Sequence, residues 1–170
     1  LVAYQEATLG KDIPRVQRKT DYGYSIPARG ILGGRDINSG WLRSKAAPAR
    51  QLHRPSSGFG MARMLLTLEQ TPEKPIIIKV NGVDNEKKDP AMMRLLVNGE
   101  QVYEGKVPWG KDAWSFRNFE VPVKYWKKGD NEIQVLNITP DKEAFTQGRQ
   151  GSLNYYWGWF IIDECQFHVK

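Results

Sequence analysis

The pair Asn98-Gly99 stands between Leu95-Leu96-Val97 and Gln101-Val102-Tyr103, and few chain geometries accept it. A two-residue type I′ turn needs positive φ at both central positions, and asparagine followed by glycine meets that need with the least strain. The pair therefore predicts an antiparallel hairpin, with one strand over Met92 to Val97 and the next entering Tyr103.

The surrounding chain follows the same two-residue period. In Arg63 to Glu69, Met64, Leu66 and Leu68 alternate with Leu65, Thr67 and Glu69, which gives one apolar face. Ile76 to Val80 carries three consecutive isoleucines, whose branched side chains favour a pleated, buried surface over a helix. The polar segment from Asn81 to Pro90 has the composition of a surface loop, as does the Gly-, Pro- and Trp-containing stretch from Gly105 to Ala113. Phe119, Val121 and Val123 alternate again, with Pro122 marking an edge or a strand end. After a turn at Lys127 to Asn131 come the strand Glu132 to Ile138, a polar loop from Thr139 to Asn154, and a final strand within Trp157 to Val169.

Six or more strands with Gly/Pro/Asn turns and no amphipathic helix predict an all-β sandwich rather than alternating βαβ units. The 170 residues are expected to form one domain, loop-rich over 1–60 and clearly stranded over 61–170.

The chain carries a net charge of +6, a bias toward anionic partners. Its basic residues are scattered, with the densest runs at Arg15 to Lys19 and Arg43 to Arg54, which argues against a nucleic-acid surface. The single cysteine, Cys165, lies in an apolar run and reads as a small buried residue rather than a nucleophile. No stretch is long and apolar enough to span a membrane.

From about Met64 to Val169, ordered features resemble the galactose-binding-domain-like jelly rolls found as accessory modules of bacterial polysaccharide-processing proteins. The hairpin Leu95-Leu-Val-Asn-Gly-Glu-Gln-Val-Tyr-Glu-Gly105 is similar to that family's I-x-V-N-G-x-x-V-F-E-G pair. Phe119 to Pro122 resembles its F-x-I-P strand, Lys127 to Val135 its L-K-x-G-E-N-x-I-x-I turn and strand, and Trp159 to Asp163 its closing W-F-x-V-D strand. The resemblance implies a jelly-roll β-sandwich and a non-catalytic, carbohydrate-binding module beside a catalytic domain. It also implies a secreted, periplasmic or cell-surface setting. At the amino terminus the family often opens on a Glu-Ala-Glu strand, which Tyr4-Gln-Glu-Ala-Thr8 matches only loosely.

Six tryptophans and seven tyrosines supply the flat apolar faces on which pyranoses stack. Trp109 and Trp114 flank Lys111 and Asp112 in one expected loop; Tyr155, Tyr156 and Trp157 follow Arg149 and Gln150 in another. These are the candidate carbohydrate-binding residues, with the alternative that one indole of the first loop seals the core and that at least one of Tyr155, Tyr156 and Trp157 packs inside. Trp159 reads as core, and Trp41 could join Arg35 and Arg43 in a further site. Asp84, Glu86 and Asp89 offer hard oxygen ligands but lack the spacing of a helical calcium loop. Asp163 lies between apolar runs, where a buried carboxylate needs a cation or donors. The resemblance to calcium-carrying sugar modules pairs it with Glu6 around a structural Ca2+ ion.

Enzymatic signatures are missing from the sequence. His53 and His168, the only histidines, belong to no zinc motif, and neither a G-x-S-x-G elbow nor a P-loop occurs. Two readings stand beside the sugar-binding one: a scaffold domain that holds a partner through an apolar patch, and a polysaccharide-degrading enzyme whose carboxylates sequence alone does not single out.

Overall fold

The computed structural model describes residues 12–37, 49–84, 90–110, 113–140 and 158–169. Along them run the short strands β1 (Arg18–Lys19), β2 (Gly23–Pro27), β3 (Leu32–Gly33), β4 (Arg35–Ile37) and β5 (Ala49–Leu52). Longer ones follow: β6 (Met61–Leu68), β7 (Ile76–Asp84), β8 (Met92–Val97), β9 (Glu100–Lys106), β10 (Ser115–Val121), β11 (Gly129–Asn137) and β12 (Phe160–His168).

They form two antiparallel sheets. In the first, β12 is central: β7 lies along one side of it, β2 and β5 share the other, β1 flanks β2, β4 flanks β5, and β10 flanks β7. The second runs β3-β6-β11-β8-β9. Residues 18–52 thus supply strands to both sheets, so the loop-rich start of the chain is woven into the sandwich rather than appended to it.

Alternation decides what faces inward. Met64, Leu66 and Leu68 of β6, with Ile133 and Val135 of β11, meet Ile76, Ile78 and Val80 of β7 in one buried cluster. On β12 the inward residues Phe160 and Ile162 are followed by Cys165 and Phe167, a step of three instead of two. A β-bulge at Asp163 absorbs the extra residue, since Ile162 pairs with Gly82 and Glu164 with Asn81. Without it the second half of β12 would turn its apolar side chains to the outer face.

The hairpin at Asn98-Gly99 forms as the sequence requires, with φ of 51° and 82°. Asn98 is also locked from outside the hairpin: its Oδ1 accepts from the Glu132 amide at 3.0 Å, and its Nδ2 donates to Asn131 Oδ1 at 2.8 Å.

Two loop expectations need correction. Asn81 to Asp84 belong to β7, because β12 pairs with all four and β10 with Asn81 and Gly82, and that pairing overrides a locally polar composition. Gly105 and Lys106 likewise extend β9, held opposite Met93 and Met92.

Candidate functional site

The loops singled out from sequence are rooted at one end of the sandwich. Register places the end of β7, the start of β12 and the end of β5 together, since Phe160 pairs with both Asp84 and Leu52. Hydrogen bonds stitch the neighbouring roots: Asp84 N to Gly110 O at 3.2 Å, Val107 N to Ala91 O at 2.9 Å, and Ile138 N to Met92 O at 2.9 Å.

At the centre of this end stands Asn137, with 1 % exposure. Its Nδ2 donates to Leu52 O at 2.9 Å and to Gly158 O at 2.7 Å, and its Oδ1 accepts from Thr139 N at 2.9 Å. The Asn137 amide donates to Gly60 O at 2.8 Å. One asparagine therefore binds the end of β5, both roots of the segment between Thr139 and Gly158, and the turn before β6. Sequence gave no sign of this role, because asparagine near a strand end reads as a turn residue.

Trp109 sits in the core rather than at a binding surface. It is 4 % exposed, donates Nε1–H to Val80 O at 3.1 Å, and lies against Phe160 with ring centres 5.6 Å apart. Its indole rests directly on Gly82, where any Cβ would fall 2.5 Å from a ring carbon. A ring so enclosed has no face left for a ligand, so of the two indoles in that loop this one closes the core.

Trp114 is half-buried on the outer face of the first sheet, packed against a second apolar cluster of Ala49, Val83, Trp159 and Ile161. Trp159 is buried there, a packing role as expected from its place at the start of the last strand. Two residues beyond Trp114, Phe116 points the same way and is 38 % exposed. Opposite it in register lies Asn81, and Asn118 lies opposite Lys79. The outward residues of the edge strand β10 and its neighbour β7 thus set an aromatic pair beside amide and ammonium groups. Phe116 was legible in principle, since it alternates with the buried Phe119 and Val121.

Asp163 is 1 % exposed at its bulge and accepts a hydrogen bond from Asn81 Nδ2 at 2.7 Å. Burial and then the Asp163 charge push the neighbouring Glu164 carboxyl above its usual range. Asp84, also buried, accepts from Ala91 N at 3.3 Å across the base of its loop. Among the described residues no three acidic, histidine or cysteine side chains gather as metal ligands. Cys165 is fully buried, and burial pushes its thiol far above its ordinary range, which fits a packing role. Lys111, Asp112, Arg149, Gln150, Tyr155, Tyr156, Trp157, Glu6, Trp41, Arg43, Glu86 and Asp89 lie outside the described residues.

No protein-family profile and no curated protein sequence matches the chain. Solved structures do match in fold. A ruminal GH26 endo-β-1,4-mannanase aligns with TM-score 0.57 and 14 % identity over 90 % of this chain and 27 % of the enzyme's own. A family 35 carbohydrate-binding module from an environmental isolate aligns with TM-score 0.56 and 15 % identity, covering 84 % of this chain and 90 % of the module. A CBM36 module in complex with calcium and xylotriose aligns with TM-score 0.51 and 15 % identity, over 84 % and 98 % respectively. The chain therefore has a jelly-roll β-sandwich fold, and spans about 27 % of the mannanase chain but nearly the whole of each module.

Proposed function

We propose that the chain is a non-catalytic carbohydrate-binding module serving a neighbouring polysaccharide-processing domain in a secreted or cell-surface protein. The observation that carries this reading is that the described roots of both aromatic-bearing segments meet at one end of the sandwich, beside the outward pair Trp114 and Phe116 with Asn81 and Asn118. A pyranose would lay its C–H face on these rings and take hydrogen bonds at its rim. Lys111, Asp112, Arg149, Gln150, Tyr155, Tyr156 and Trp157 would complete the contact surface from the loops. The matching modules, one of them holding xylotriose, support the reading by fold.

Exposure favours sugar over a scaffold role. Among the described residues only Phe59 and Phe116 are exposed large hydrophobics, far from the contiguous apolar patch a protein interface requires.

A structural Ca2+ ion fits the chemistry of Asp163, a buried carboxylate with hard oxygen donors, and Glu6 would share it. Such an ion would offset the cost of burying the Asp163 charge.

Calorimetric titration against neutral and acidic oligosaccharides tests the binding reading. Phe116→Ala and Trp114→Ala are expected to weaken the best ligand about ten-fold each. Absence of any ligand across the panel, with unchanged folding, would overturn it.

A further inference from the structure

The turn preceding β6 presents a charged and aromatic pair that the contact surface above does not include. Pro55–Ser57 form a single 3-10 turn, closed by Gly58 at φ 79°. Ser57 Oγ donates to Arg54 O at 2.7 Å and accepts from Phe59 N at 3.0 Å, while His53 N donates to Phe59 O at 3.1 Å. Phe59 is thereby held with 43 % of its surface exposed. The Arg35 guanidinium lies over its ring, 6.0 Å from the centre.

A guanidinium held over an aromatic face keeps N–H donors available for a carboxylate or sulfate, which it can grip with two parallel hydrogen bonds. Four other arginines are held by carboxylates: Arg15 by Asp130, Arg50 by Asp36, Arg63 by Glu132 and Arg94 by Glu104. The local field at this turn is positive. His53 is held down to about 4 by burial first and then by the charges of Arg35 and Arg54.

Position ties this pair to the glycan surface. Arg35 pairs with Gln51, Gln51 with Ile161, and Ile161 with Val83, so one row crosses the outer face of the first sheet from Arg35 toward Trp114. Three interstrand steps of about 4.8 Å carry that row roughly 14 Å to Val83, in the cluster against which Trp114 packs.

We propose that Arg35, oriented by Phe59, is an anion subsite of the carbohydrate surface, so that the ligand is an acidic glycan bearing carboxylate or sulfate groups. The inference rests on the carbohydrate reading and deepens it. The net charge of +6 acts with it, raising the encounter rate for such polymers.

The test compares the intact chain with Arg35→Ala, Arg35→Lys and Phe59→Leu, titrated with oligogalacturonate, a sulfated galactan oligosaccharide, and neutral xylo- and manno-oligosaccharides. Acidic ligands are expected to bind more tightly, with affinity falling as salt rises. Arg35→Ala is expected to weaken them about ten-fold and leave neutral ligands unchanged. Arg35→Lys is expected to recover only part of the loss, because it keeps the charge but not the fork. The difference between the oligogalacturonate and sulfated arms assigns the anion. Equal affinity for neutral and acidic ligands, unaffected by Arg35→Ala, would overturn the anion subsite and leave the carbohydrate reading standing. Tighter binding of a single-stranded oligonucleotide than of any glycan, or no glycan binding at all, would overturn both.

Discussion

Replacing Asn137 by alanine removes the three side-chain hydrogen bonds that hold the loop roots together. Leu52 O, Gly158 O and Thr139 N would lose these partners at a site where Asn137 itself is 1 % exposed. Each lost bond costs on the order of 1 kcal/mol net, and more if the remaining group stays dry, so the substitution is expected to destabilise the fold by about 3 kcal/mol. At roughly 2–4 °C per kcal/mol for a chain of this size, thermal unfolding should fall by about 6–12 °C. The effect should reach function as well, since the same residue ties the turn before Gly60 to the segment ending at Gly158. Differential scanning calorimetry gives the first measure, and glycan titration well below the transition gives the second. Asn137→Asp is a sharper control: it keeps the acceptor for Thr139 but turns a negative oxygen toward two carbonyls, and should cost at least as much as alanine. A Tm for Asn137→Ala within about 1 °C of the parent protein would refute the assignment of Asn137 as the tie between these roots.

Gly82→Ala is expected to cost about 2 kcal/mol because its Cβ would fall 2.5 Å from the Trp109 indole, and Trp109→Phe in the same chain should recover part of that loss in a denaturant titration. His53 has a folded pKa near 4, below its unfolded value, so the unfolded chain binds the extra proton as pH drops from about 6.5; stability should decline across that interval, and less so in His53→Gln. Removing a repelling charge by Arg35→Ala should raise the His53 pKa, read by NMR titration of the ring; an unchanged value would contradict the placement of that guanidinium. The Asp130 carboxyl is held well below its usual range by hydrogen bonds from Arg15 and then Thr67. Its contribution is therefore complete above about pH 4 and lost as pH falls further, so Asp130→Asn should flatten the acid limb of the stability curve, by a small amount because the pair is exposed.

Much of the sandwich was written locally. The Asn98-Gly99 turn, the alternation in β6 and β8, and Pro122 at the end of an edge strand each follow from backbone sterics or side-chain period. Neighbouring residues alone set those features, so the sequence carried them without reference to the fold. The bulge at Asp163 was not legible, because inserting one residue corrects a phase that exists only once β12 lies between β7 and its partners. For the same reason Asn81 to Asp84 read as loop: a polar stretch becomes strand when β12 pairs along all of it and β10 along its first half.

The candidate site divides along the same line. Sequence identified aromatic-rich loops and a basic chain, residue types suited to stacking on apolar faces and to meeting anions. Which rings face water was a matter of packing: Gly82 draws Trp109 inward, while the register of β10 leaves Phe116 outward. Arg35 and Phe59 lie twenty-four positions apart in the chain, and only the pairing of β4 with β5 and the Ser57 turn bring them together. Residue types fix what chemistry a chain can offer, whereas burial and strand register, which depend on contacts distant in sequence, decide where that chemistry is presented.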